Sequence, residues 1–142
     1  MDIARLVERR TGPVYSCSAD ETVAQAARLL SEKRIGALPV LDDNKVIGVF
    51  SERDLLYDIA STGSAALEKT VGEVMTAPAI TVGLSAHAIE ALDLMTKRRI
   101  RHLPVVEDGR MVGFVSIGDL VKFRLELVQA EAEAMRAYIQ TA

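Results

Sequence analysis

Two heptapeptides carry the residue types that could do chemistry: Gly48-Val-Phe-Ser51-Glu-Arg-Asp54 and Gly113-Phe-Val-Ser116-Ile-Gly-Asp119. Each follows an apolar, strand-like run and ends in Ser-x-x-Asp. A serine at a helix start satisfies an orphan backbone N–H, and a carboxylate in the first turn suits the helix dipole. That is one chemistry. The other is recognition. A strand-to-helix turn leaves N–H groups pointing outward, where anions and sugars settle. There a carboxylate can accept from both hydroxyls of a ribose. The serine hydroxyl can reach a phosphate or its bridging water, and the glycine lets backbone approach closely. Seen once, the pattern reads as capping. Its recurrence at an equivalent place brings the binding reading level with it.

Other constellations are absent from the sequence. Cys17 is the single cysteine, so no internal disulfide forms, and on a strand it reads as a small core residue. His87 and His102 are dispersed and give no metal-ligand spacing. No nucleophile–base pair and no Walker-type glycine loop is present, so no catalytic site is expected. The net charge of −3 argues against a broad basic face for nucleic acid or an anionic membrane. The first ten residues have no apolar centre and no run reaches the ~20 residues of a membrane span. A soluble cytoplasmic protein is expected.

The two heptapeptides belong to a longer repeat. Residues 6–56 lie on residues 71–121 without a gap. Pro13 falls on Pro78, Ile35 on Ile100, and Leu38-Pro39-Val40 on Leu103-Pro104-Val105. Each copy predicts a short strand (14–17 and 79–82), then an amphipathic helix (about 20–33 and 85–98) with Asp20 and Ser85 as N-caps. Two β-rich runs follow in each (37–41 with 46–50, and 102–106 with 111–115). Between them stand the turn residues Asp42-Asp43-Asn44 and Glu107-Asp108-Gly109. A second helix opens at Ser51 and at Ser116. The unit is β-α-β-β-α twice, an α+β arrangement whose halves pack about an approximate two-fold axis. Residues 1–60 form the first repeat, 61–70 a Gly/Ser-containing linker, 71–122 the second repeat and 123–142 a helical extension. The last helix is expected to reach about Gln140. Its face Leu120, Phe123, Leu127, Ala134 and Tyr138 either meets a partner subunit or belongs to a solvated tail.

The register of the repeat, the paired Leu-Pro-Val segments and the paired Gly-x-x-Ser-x-x-Asp ends resemble the tandem CBS domain pair, or Bateman module, over nearly the whole chain. The resemblance implies two units packed sheet to sheet around two clefts that take AMP, ADP, ATP, NAD or S-adenosylmethionine as a regulatory ligand. On that likeness Asp54 and Asp119 each hold a ribose, and Ser51 and Ser116 lie near phosphates. Val49 and Phe114 flank the adenine. Tyr15 with Ile35-Gly36-Ala37, and Ile80 with Ile100-Arg101-His102, line the opposite repeat's cleft. The copies differ: Arg101 and His102 stand where the first copy has Gly36 and Ala37. A guanidinium matches phosphate geometry, so the Asp119 cleft is expected to be the better phosphate site, with Arg53 or Arg34 as substitutes at Asp54. Lys97 and Arg98 read as a solvated helix end. The expected function is nucleotide sensing that modulates a partner, as a homodimer in the manner of the family. The alternative is an interaction scaffold with vestigial clefts.

Overall fold

The computed structural model describes residues 2–141. Each hairpin forms as the alternation and turn residues predict. Strand β1 (Ala37–Asp42) pairs antiparallel with β2 (Lys45–Ser51), and β3 (His102–Glu107) with β4 (Arg110–Ser116). Asp43 and Asn44 have φ of 50° and 63°, and Asp108 and Gly109 have 51° and 76°. Positive φ at both central residues is what a tight two-residue turn needs to match strand twist.

The helices differ from expectation at their starts. Helix α2 (Val23–Lys33) begins at a Thr22 cap and α5 (Ala88–Arg98) at a His87 cap, not at Asp20 and Ser85. Thr22 wins because Gln25 completes a reciprocal capping box: the Thr22 side chain accepts from Gln25 N, and the Gln25 side chain from Thr22 N. At the matching position His87 Nδ1 accepts from Ile89 N.

The expected first strands shrink to single parallel bridges, Cys17 to Val40 and Val82 to Val105. Cys17 N donates to Pro39 O, and Leu41 N to Cys17 O. Continuing toward Tyr15 would require residue 39 to donate an N–H, and proline has none. Pro104 imposes the same limit beside Ile80.

The 61–70 linker is helical for most of its length. Helix α3 (Glu52–Thr62) runs into it, and a 3-10 helix (Gly63–Glu68) buries Ala66 fully.

Two short helices precede the repeats' bridging segments, and each packs on the other repeat. In helix α1 (Ile3–Arg9), Ile3 is buried with Ala91, Met95, Leu103, Val105 and Leu120 of the second repeat. In helix α4 (Val71–Val74), Val71 is buried with Val23, Leu38, Val40 and Phe50 of the first. The motif glycines allow this exchange. A Cβ at Gly48 would lie 2.6 Å from Met75 Sδ and 2.9 Å from Thr76 O, and one at Gly113 would lie 2.8 Å from Val7 Cγ2. The close approach that glycine permits is therefore to the other repeat's leading segment.

Helix α6 (Ile117–Thr141) spans 25 residues. Leu120 and Phe123 are buried and Leu127 is half-buried, whereas residues 128–141 are exposed. No helix among the described residues is long and apolar enough to cross a membrane.

Candidate functional site

Ser51 and Ser116 are the last strand residues of their hairpins and the caps of the helices that follow. Both form reciprocal capping pairs. Ser51 Oγ accepts from Asp54 N at 3.2 Å while Asp54 Oδ2 accepts from Ser51 N at 2.9 Å. Ser116 Oγ accepts from Asp119 N at 3.1 Å while Asp119 Oδ2 accepts from Ser116 N at 2.9 Å. The capping chemistry is realised in both copies, and it uses one carboxylate oxygen of each acid.

The second oxygen separates them. Asp54 Oδ1 accepts from Thr76 Oγ1 at 2.8 Å. Among the described residues nothing donates to Asp119 Oδ1, which leaves it an acceptor for a ligand hydroxyl.

The cavities differ in the same sense. Asp119 borders one of about 770 Å³, within the range of small-molecule sites. It brings together Ser116, Phe114 and His102 from the second repeat with Tyr15, Ile35, Gly36 and Ala37 from the first. Asp54 borders one of about 150 Å³, with Ser51, Val49, Ile80, Ile100, Arg101 and His102. Every residue to which the resemblance gives a ligand contact lines one cavity or the other.

Arg101 lines the Asp54 cavity, the opposite repeat's cleft, as the resemblance implies; the expectations that Arg101 favours the Asp119 cavity for phosphate and that Arg34 serves Asp54 are therefore corrected. His102 borders both. Arg53 lines the Asp54 cavity, with its guanidinium donating to Arg99 O at 2.8 Å, whereas Arg34 lines the Asp119 cavity. The Asp119 cavity takes its cations from elsewhere: Arg9, Arg10, Arg34 and Lys122. Arg10 Nη1 donates to Phe114 O at 2.9 Å, and Arg9 pairs with Glu126 at 2.6 Å while lying 4.8 Å over the Phe123 ring. Arg9 and Arg10 reach this cleft because α1 crosses to the second repeat. The register of residues 6–11 on 71–76 was their one sequence signal.

Burial favours the neutral form of two titratable side chains. His102 stacks on Phe114 with centroids 5.6 Å apart. Burial lowers its pKa from the usual 6.5; Asp119 and Glu52 pull it back up, and Arg101 adds to the lowering. Burial, with Glu21 nearby, pushes the Cys17 thiol up to about 12, the reverse of what a nucleophile needs. No group of three or more His, Cys, Asp or Glu able to hold a metal occurs among the described residues.

The family model described as "CBS domain" matches residues 4–61 and again residues 71–126. This chain belongs to the CBS-domain family. Among curated relatives of this CBS pair, the mitochondrial CBS domain-containing protein CBSX3 of Arabidopsis thaliana is 36% identical over 129 residues, 87% of this chain. The chain spans 63% of that relative. Against inosine-5'-monophosphate dehydrogenase of Mycobacterium tuberculosis it is 38% identical over 115 residues, but those cover only 20% of the enzyme. The CBS-domain protein ATU1752 of Agrobacterium tumefaciens superposes with a TM-score of 0.82 at 36% identity, over 87% of this chain and 99% of that one. The CBS pair of protein MJ0100, solved with 5'-methylthioadenosine and S-adenosyl-L-methionine, superposes at 0.75 with 25% identity, over 87% of this chain and 98% of that one.

Proposed function

We propose that this CBS pair is a regulatory module without catalysis of its own, which takes one phosphorylated adenosine ligand in the Asp119 cleft. The observation that carries the reading is the ~770 Å³ cavity holding an acid with an uncommitted oxygen beside four basic residues. Asp119 Oδ1 receives a ribose hydroxyl, the Phe114–His102 stack and Tyr15 flank the base, and Arg10, Arg34 and Lys122 meet the phosphates. The adenosine class is supported by the MJ0100 complexes. The cations favour AMP, ADP, ATP or NAD over S-adenosylmethionine. At the other cleft, the small volume and the Thr76 contact to Asp54 favour the vestigial reading. Binding biases the pair toward one arrangement, so the module senses the cell's energy or cofactor state and modulates a partner protein. The module works as a homodimer. The cytoplasm, a reducing compartment, suits its single buried cysteine.

Thermal unfolding with AMP, ADP, ATP, NAD and S-adenosylmethionine tests this. Ligand at a hundred times its dissociation constant adds about 2.7 kcal/mol, several degrees of melting temperature for a domain of this size at roughly 2–8 °C per kcal/mol. Because both acids also cap helices, the informative variants are Asp119→Asn and Asp54→Asn, which keep an acceptor for the cap. The expected result is a nucleotide shift reduced by Asp119→Asn and by Arg10→Ala and spared by Asp54→Asn. No shift with any of the five, in ligand-free protein, overturns the reading and leaves the scaffold.

A further inference from the structure

Beyond the body of the pair, α6 presents an apolar stripe distinct from the face that packs inward. Leu125 is 58% exposed, Val128 46%, Met135 62% and Ile139 67%. With Val121 and Ala132 these residues follow one another in alternating steps of four and three. That is a heptad seam with Leu125, Ala132 and Ile139 at the a positions and Val128 and Met135 at d. A single helix in water gains nothing from such a seam; a facing seam of the same period buries it.

We propose that residues 121–139 pair with the same segment of a second copy of this chain as a parallel two-stranded coiled coil. The proposal rests on the homodimer reading and supplies its interface and orientation. Charge complementarity selects the occupant. In this register Glu131 is a g residue and Arg136 the e residue of the next heptad, the two positions that meet across a parallel pair. Glu131 of each helix then faces Arg136 of the other, and the two-fold symmetry makes two such contacts from one sequence. The antiparallel register that overlaps the whole stripe, with Leu125 opposite Met135, sets Glu131 against itself. Among the described residues neither has an ion-pair partner: the α6 carboxylate that does, Glu126, faces Arg9. Ala132, midway along the seam, lets the two backbones approach, and α6 holds no proline and no glycine after Gly118.

The test uses the full chain and exposed positions, so folding is not at stake. Sedimentation equilibrium of Glu131→Arg and Arg136→Glu is expected to raise the dimer dissociation constant roughly tenfold each, by turning two attractions into two repulsions. The double variant E131R/R136E is expected to return it toward the parent value. In a Cys17→Ala background, Ala132→Cys at the seam is expected to oxidise to a covalent dimer, and Ala130→Cys on the outer face is not. A dimer indifferent to charge, in which both cysteines cross-link alike, overturns the coiled coil and leaves a dimer formed through the body. A monomer at every concentration overturns the coiled coil and the dimer reading together.

Discussion

At the scale of single residues, the fold moves the protonation equilibrium of His102. It borders both clefts, stacks on Phe114, and is held by burial below its ordinary pKa. The unfolded chain then binds a proton more readily than the folded one. The contribution of His102 to stability is fully present above the unfolded value near 6.5 and is lost as pH falls through the folded value. Urea midpoints measured from pH 7.5 to about 5 are expected to drop more steeply for the parent than for His102→Gln; parallel slopes would remove His102 from the account. The pair Asp54 and Asp119 shows how far residue types alone can be read. Ser-x-x-Asp suggests both a cap and a ligand acid; the cap forms in both copies, and the ligand role belongs to the proposed function. The Thr76 hydroxyl on Asp54 and the Arg10 guanidinium beside Phe114 were not legible, because each contact joins positions brought together only by the exchange of leading segments.

At the scale of elements, the hairpins, α3 and α6 follow from alternation, turn residues and capping. The bridging segments do not, and the reason is covalent. Pro39 and Pro104 stand in the strands themselves and remove the donor that a second parallel pairing needs. The Leu-Pro-Val segments stand out in the sequence by their repetition, but it is their missing N–H that limits the bridging segments. In the sequence the glycines suggest room for a ligand; in the fold they admit α1 and the residues that follow α4, and Gly113 also lines the Asp119 cavity. This gives Gly113→Ala and Gly48→Ala an expected cost of roughly 1–3 kcal/mol by overpacking, read from urea unfolding. Gly48→Ala is expected to cost more. Its Cβ meets a backbone carbonyl as well as a side chain, whereas at Gly113 the two nearest atoms belong to the Val7 side chain. An alanine at Gly113 that stabilises the protein would place α1 elsewhere.

At the scale of the whole molecule, the division of the chain at residues 60 and 71 marks the order of the repeats but not the boundaries of two bodies. Ile3 completes the second core and Val71 the first, so neither repeat closes its core with its own residues. The pair is expected to melt as one unit, with the calorimetric enthalpy equal to the van't Hoff enthalpy. Two resolved transitions, each owned by one repeat, would contradict that packing. The repeat itself was legible because duplication left its register intact. The crossing was not, since residues 3–9 look the same along the chain whichever sheet they cover. The crossing also bears on how such a chain arises. A lone unit of this kind leaves one sheet uncovered and one helix unhoused, so two separate molecules must trade helices to complete each other. Fusing the copies turns that trade into an internal event, whose effective concentration is set by the ten-odd residues between them and no longer by how much protein is present. Fusion stabilises the fold through this connection, in addition to the contacts that the connecting helix makes by burying Ala66.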